Sequence, residues 1–335
     1  MKESQVRQNK ATRQWVIFAP ERRRRPTDFM RPREGRTREP EHDPDCPFCP
    51  GNEGRLPDII EEVRDARGRW LTRVVPNKFP ALTPTGELAR SREGIYLAMG
   101  GFGHHEVIVE TPLHNLQPGQ MSEEEAGGIV RTYLSRYRVL TEEEKTMMVI
   151  VFRNHGERAG TSLRHPHSQL IATGMVPHHV RWREEEAERY FDEWGRCVFC
   201  DILEFEERAG LRVVLANASF LVFVPYAAEV PFELWVMPRI HRADFGDMSE
   251  EEARDLASAL RGALGILHRR LGDPDYNMVV NTSARYRAGE PRLHWYVQVR
   301  PRLLTAAGFE IGSGIGINPS LPEDDAAFLR GEGKQ

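Results

Sequence analysis

Two stretches of this chain decide how the rest is read: His105-Glu-Val-Ile-Val-Glu-Thr-Pro-Leu-His114 and Phe232-Glu-Leu-Trp-Val-Met-Pro-Arg-Ile-His241. The first runs into Asn-Leu-Gln-Pro-Gly-Gln-Met-Ser-Glu-Glu-Glu-Ala126, the second into Arg-Ala-Asp-Phe-Gly-Asp-Met-Ser-Glu-Glu-Glu-Ala253. Without a gap the copies keep one offset of 127 positions, from His114 to His241 and from Ala126 to Ala253. Such a repeat constrains architecture before any local motif does. Each copy reads as an alternating apolar strand, a histidine, a short loop and a helix. Ser122 with Glu125, and Ser249 with Glu252, have the spacing of a capping box at the helix start. The helices are expected to reach about Val139 and Leu271, where the helical spacing of apolar residues ends. Strands follow over residues 147–154 and 276–281, ending on Asn154 and Asn281, again 127 apart. Each then enters a glycine-containing loop and a second histidine, His165 or His294. The expected fold is α+β: two related halves, residues 1–180 and 181–335, each with an antiparallel sheet, a helix and a metal site.

The bulk composition agrees with two ordinary domains. The chain has 335 residues, 40% hydrophobic and 29% charged, enough for two cores. A net charge of -4 argues against general nucleic-acid binding. No apolar run approaches the roughly 20 residues that span a bilayer. The polar amino terminus has no signal-peptide core, so a cytoplasmic location is the expectation.

Only four cysteines are present, as Cys46-Pro-Phe-Cys49 and Cys197-Val-Phe-Cys200. That is a poor disulfide framework for a chain of this length. The two-residue spacing suits two thiolates on one zinc, or a redox dithiol. Two such pairs about 150 residues apart favour metal. Placed on the repeat, they complete two parallel sets: Cys46, Cys49, His114, His165 and Cys197, Cys200, His241, His294. Two Cys and two His close a tetrahedral zinc site and leave no position for a reacting water. Both zinc ions are therefore expected to be structural.

The halves differ where chemistry is expected. The first has His165-Pro-His167-Ser-Gln169, the second His294-Trp-Tyr296-Val-Gln298. Two residues apart on a strand, His165 and His167 share a face. His167 is then beside the metal but not bound to it, free to act as a nucleophile toward phosphorus. Tyr296 stands in its place in the second half, so only the first half is expected to be catalytic.

These residues resemble the galactose-1-phosphate uridylyltransferase family of the histidine-triad superfamily, over residues 13 to 330. The most specific stretch is Asn154-His-Gly-Glu-Arg-Ala-Gly-Thr-Ser-Leu-Arg-His-Pro-His-Ser-Gln169. The resemblance implies a duplicated histidine-triad-like fold with His167 as nucleophile and a ping-pong reaction through a nucleotidyl-histidine. It implies phosphate contacts from Gln169 and Ser162, and ligation of one zinc by Cys46, Cys49, His114 and His165. It places Arg22 and Arg25, in Glu21-Arg-Arg-Arg-Arg-Pro26, near the phosphates of the nucleotide sugar; a solvated charge run is the plainer reading. Asn77 falls in a segment near the nucleoside, or is a turn residue, and Asn154 counts among the substrate-binding positions. A homodimer is implied, with a nucleotide sugar and a sugar 1-phosphate, or phosphate, as partners.

The second CxxC set and the stretch Gly308-Phe-Glu-Ile-Gly-Ser-Gly-Ile-Gly-Ile-Asn-Pro319 are more like a branch that includes plant ADP-glucose phosphorylase. Uridylyl transfer from UDP-glucose to a hexose 1-phosphate such as galactose 1-phosphate is the leading expectation. Adenylyl transfer to phosphate is the alternative. A histidine-triad nucleotide hydrolase and a non-enzymatic nucleotide sensor are the readings from other classes.

Overall fold

The computed structural model describes residues 3–22 and 39–332. The chain opens with the hairpin β1 (Gln5–Gln8) and β2 (Trp15–Phe18). Strands β3 (Glu61–Arg64) and β4 (Trp70–Pro76) precede a small hairpin, β5 (Arg90–Glu93) with β6 (Tyr96–Met99), and then β7 (Gly103–Val109). Helix α1 (Glu123–Glu142) leads to β8 (Met148–His155) and β9 (His167–Thr173). After α2 (His178–Trp194) and α3 (Val198–Ala209) come β10 (Val213–Ala216), β11 (Phe220–Phe223) and β12 (Leu234–Pro238). The chain ends with α4 (Glu250–Leu271), β13 (Tyr276–Asn281), β14 (Tyr296–Pro301), α5 (Gly308–Ser313), β15 (Gly316–Asn318) and α6 (Pro322–Arg330).

Local chemistry accounts for the two long helices. Ser122 and Ser249 sit in extended conformation at their starts and accept from the backbone N–H of Glu125 and Glu252, whose carboxylates reach back to the serine N–H. Three glutamates in each first turn face the positive end of the helix dipole. α4 stops at Gly272, left-handed at φ 66°, where a residue without Cβ is favoured. Leu134 and Leu140 of α1 and Leu256, Leu260 and Leu264 of α4 enter one core with strands from both halves. Burial of each such side chain is worth about 1.5–3 kcal/mol.

The sequence suggests one sheet per half; the structure has a single ten-stranded antiparallel sheet, ordered β10-β11-β12-β14-β13-β8-β9-β7-β4-β3. The halves meet where β13 pairs with β8, Asn277 opposite Asn154. An edge strand exposes unpaired backbone N–H and C=O groups, and this pairing covers one edge from each half. Read outward from the seam, the order is the same on both sides: β8, β9, β7, β4, β3 against β13, β14, β12, β11, β10. Among the described residues six helices accompany the sheets, so the class is α+β.

The ungapped offset of 127 fails inside one strand. Val107 and Val109 face the Cys46 and Cys49 cluster, whereas Leu234 and Val236, 127 positions on, face the helical core. Trp235 and Met237 occupy the Cys197 side instead, so this strand runs at an offset of 128. Beyond it His165 Nε2 bonds Thr111 O, and His294 Nε2 bonds Pro238 O, where the offset is again 127. The first half thus carries one extra residue, Glu110. Because side chains alternate with period two, a one-residue slip moves the whole set to the other face.

The opening hairpin pairs with β15 in a three-stranded sheet. Its Val16 and Phe18 pack on Ala227 and Leu321, and Ala11 joins the core around Cys197 and Phe199. Residues 3–22 therefore lie on the second half, although they precede the first.

Candidate active site and metal centres

Each CxxC lies against the two histidines that share its repeat. Cys46 Sγ is 3.7 Å from His165 Nδ1, and Cys49 Sγ is 3.5 Å from His114 Nδ1 and 3.6 Å from His165 Nδ1. A tetrahedral zinc with ordinary Zn–S and Zn–N bonds holds sulfur and nitrogen about 3.6 Å apart, so the cluster has the size of such an ion. In the second cluster Cys200 Sγ is 3.1 Å from His241 Nδ1 and 3.5 Å from His294 Nδ1. The four donor atoms of each set lie within 4.8 Å of one another, so both could hold a metal ion. The outer nitrogens of His165 and His294 donate to the carbonyls of Thr111, at 2.7 Å, and Pro238, at 3.0 Å. That fixes the tautomer and turns Nδ1 toward the cluster. Burial pushes the Cys46 thiol up to about 11, so a cation is needed for a thiolate there. Burial brings His165 down to about 4, which keeps it neutral and able to ligate. The first cluster is buried throughout; in the second His241 is exposed.

His167 begins β9, two residues past His165 and on the same face. Its Nδ1–H donates to His165 O at 2.8 Å, which leaves the Nε2 lone pair outward. Burial lowers its pKa below the ordinary histidine value, against the raising effect of that carbonyl. The neutral, nucleophilic form therefore prevails at neutral pH. Phe48, inside the first CxxC, places its ring 5.5 Å from the His167 ring and 5.9 Å from that of His165.

The counterpart in the second half is closed. Tyr296 packs between Phe199 at 5.6 Å and Trp235 at 4.4 Å, all three buried. Trp235 occupies the register position of Val107, so a large ring fills the space that a small side chain leaves in the first half. Burial also raises the Tyr296 phenol above its usual range. It is a core residue.

Gln169 lies two residues beyond His167 on the same face, and its Oε1 is 2.7 Å from His105 Nε2 and 3.4 Å from Asn77 Nδ2. Asn77 thus belongs with Gln169, and His105 is a member that sequence reasoning missed. Asn154, on β8, presents Oδ1 to Asn277 Nδ2 at 2.8 Å, which turns its own amide NH2 outward. β8 pairs with β9 through Phe152 opposite Gln169; two residues along each strand, Asn154 comes beside His167. Ser162 is exposed in the loop between them. Arg22 is exposed at the end of a 3-10 turn, in the segment that packs on the second half. Arg25 lies outside the described residues. Asn277 and Phe48 were also missed: Asn277 acts across a seam that no local pattern reveals, whereas the phenylalanine common to both CxxC motifs was a usable signal.

Beneath His167, on the helix side of the sheet, lies a buried polar group. Arg153 Nε donates to the Glu110 carboxylate at 3.0 and 3.1 Å, and Nη1 to Tyr276 Oη at 2.7 Å. Ser168 and Tyr133 also donate to Glu110. At the matching positions the second half has Val280, Val297 and Leu260, all in the apolar core, and nothing for Glu110. Glu110, Arg153, Ser168 and Tyr133 form a polar quartet in the half that carries His167, and Tyr276 joins it from the second half.

Both halves match models of known families: residues 1–177 the galactose-1-phosphate uridyl transferase N-terminal domain, and residues 183–295 its C-terminal domain. The chain is 34% identical to an ADP-glucose phosphorylase of Arabidopsis thaliana, over 97% of this chain and 92% of that one. It is 26% identical to a galactose-1-phosphate uridylyltransferase of Thermotoga maritima, over 97% and 98%. A crystal structure of the Arabidopsis thaliana ADP-glucose phosphorylase with bound ADP-glucose superimposes with a TM-score of 0.83 at 32% identity, covering 98% of each chain. A solved uridylyltransferase structure gives 0.76 at 26%, again over 98% of each. The class so defined is that of nucleotidyltransferases. Within it, this chain belongs to the galactose-1-phosphate uridyl transferase family. No helix among the described residues is long and apolar enough to cross a membrane.

Proposed function

We propose that the chain transfers a nucleoside monophosphate from a nucleoside diphosphate sugar, by way of a covalent adduct on His167. The observation that carries this reading is the His167 geometry: a buried, neutral imidazole whose Nδ1–H is held by His165 O, with Nε2 free. Nε2 attacks the α-phosphorus; the N–P bond forms and the bridging P–O bond breaks. The sugar 1-phosphate leaves with the electron pair. The acceptor's phosphate oxygen then attacks the same phosphorus, and the N–P electron pair returns to Nε2. The ring is cationic while the adduct lasts, and the His165 carbonyl at Nδ1–H stabilises that charge. Gln169, Asn154 and Ser162 serve the phosphoryl oxygens in this account, and Asn77 the nucleoside side. Phosphate leaving groups are stable anions, so positioning and charge stabilisation carry most of the rate.

Zinc is the metal we assign to both clusters, from the mixed sulfur and nitrogen donors and their tetrahedral spacing. When bound, it ties the Cys46–Cys49 turn to His165 and takes no part in the chemistry. The mirror order of strands supports a duplicated histidine-triad-like unit with its boundary near residue 180, the opening hairpin being lent to the second half. Arg22 and Arg25 are assigned to the phosphates of the nucleotide sugar, reached from the partner subunit of a homodimer. A cytoplasmic location fits this chemistry.

Two donor and acceptor pairs fit. The family name points to UDP-glucose with galactose 1-phosphate, and so to galactose metabolism. The 34% identity to an ADP-glucose phosphorylase favours ADP-glucose with phosphate as the second reading. Turnover of each donor with each acceptor, followed by product chromatography, decides between them. Release of free nucleoside monophosphate alone would indicate hydrolysis and overturn the transferase.

A further inference from the structure

The amide of Gln169 has a direction, and the hydrogen bonds around it state which. Ala81 N–H donates to His105 Nδ1 at 3.2 Å, so that nitrogen is an acceptor. In the neutral ring the proton is then on Nε2, which lies 2.7 Å from Gln169 Oε1. Asn77 is oriented independently: Phe79 N–H donates to its Oδ1 at 2.8 Å, leaving Nδ2 to face Gln169 Oε1 at 3.4 Å and His105 Nε2 at 3.1 Å, the latter an approach of two donors that share the one oxygen. Backbone also binds the pair, Asn77 N–H donating to His105 O at 2.8 Å. Two donors therefore converge on the Gln169 oxygen, and its NH2 points the other way.

The second half contains the opposite arrangement. Glu233 stands at the register position of His105, and Gln298 at that of Gln169. There Gln298 Nε2 donates to Glu233 Oε1 at 2.7 Å, beside Trp235 Nε1 at 3.0 Å. An acceptor captures the NH2; a donor captures the oxygen. The two halves thus fix the same glutamine in opposite senses, and only the half with His167 leaves its NH2 to donate.

We infer that His105 is a positioning residue: held as the Nε2–H tautomer by Ala81 N–H, it pins the Gln169 oxygen and so presents the Gln169 NH2 to the phosphoryl group on His167. This rests on the proposed nucleotidyl-histidine reading. A phosphoryl oxygen accepts hydrogen bonds and repels an amide oxygen, so reversing the amide would replace an attraction by a repulsion at the reacting group.

The test uses single-turnover labelling of His167 by a radiolabelled nucleotide sugar, alongside steady-state kinetics and thermal melts. His105→Glu copies the second half, and is expected to slow labelling by about a hundredfold or more, the loss of one oriented donor, mainly in kcat rather than KM. His105→Gln offers both a donor and an acceptor, and should recover most of that rate. In a Gln169→Ala background His105→Glu should add almost nothing, because it acts through the missing amide. Additive losses in that cycle, or unslowed labelling in folded His105→Glu, would overturn the inference. If His105→Glu does not fold, the same cycle with His105→Ala decides by the same criterion. Wild-type protein that takes no label at all indicts the nucleotidyl-histidine reading instead.

Discussion

At the residue scale, the chemistry of this protein depends on which atom of a side chain faces the site. His167 exposes Nε2 only because His165 O holds Nδ1–H. Gly156 shows the same economy in the backbone. It has φ 85°, and a Cβ built there would lie 1.4 Å from Oδ1 of Asp275, whose other carboxylate oxygen, Oδ2, accepts from Arg158 N–H at 3.0 Å. Gly156→Ala should cost at least about 1–3 kcal/mol through backbone strain and the displaced carboxylate. Urea unfolding checks this; an unchanged midpoint would contradict the tight packing of the loop that leads to His165. The candidate donors could be named from the sequence, since Cys46, His165 and Gln169 stand in short recognisable runs. His105 could not. It opens the very stretch that reveals the repeat, yet there it reads as one more strand residue. Its role arises from cross-strand pairing of His105 with Ile171, beside Gln169, and that register is tertiary.

At the scale of elements, helices α1 and α4 were legible because their signals are local: a serine, a glutamate three residues on, and apolar spacing. Ser122→Ala and Ser249→Ala should each lower stability by about 1 kcal/mol, measured by chemical denaturation. The strand register was less legible. An ungapped comparison assigns Leu234 to the face of Val107, but one extra residue, Glu110, shifts β12 by one place. That residue anchors the buried quartet under His167. A buried ion pair gains little over apolar packing, whereas one stranded charge is costly. Arg153→Met alone should therefore destabilise by about 3–5 kcal/mol, and Glu110→Leu added to it should recover much of the loss. Equal destabilisation by the single and double variants would show that Glu110 is not left as an unpaired charge.

At the scale of the whole molecule, two half-sheets become one because β8 and β13 would otherwise leave open edges. No sequence pattern announces that seam, since both strands alternate equally well alone or paired. The placement of residues 3–22 on the second half was equally hidden. A metal in either Cys/His cluster would tie its CxxC segment to the two histidines of the same half. Chelation, or Cys49→Ser, should lower the melting temperature by at least several degrees and restore nothing on adding magnesium, while zinc restores the chelated protein. Full activity in demonstrably metal-free protein would contradict a stapling role.

The central claim is that His167 carries the nucleotide. Metal-replete protein should be mixed with UDP-glucose or ADP-glucose labelled in the α-phosphate, quenched in base, digested and mapped by mass spectrometry. The account predicts an acid-labile, base-stable nucleoside monophosphate on His167, discharged by galactose 1-phosphate or phosphate and absent from His167→Gly protein. Label that persists in His167→Gly protein, or turnover with no covalent label in the wild type, would contradict it.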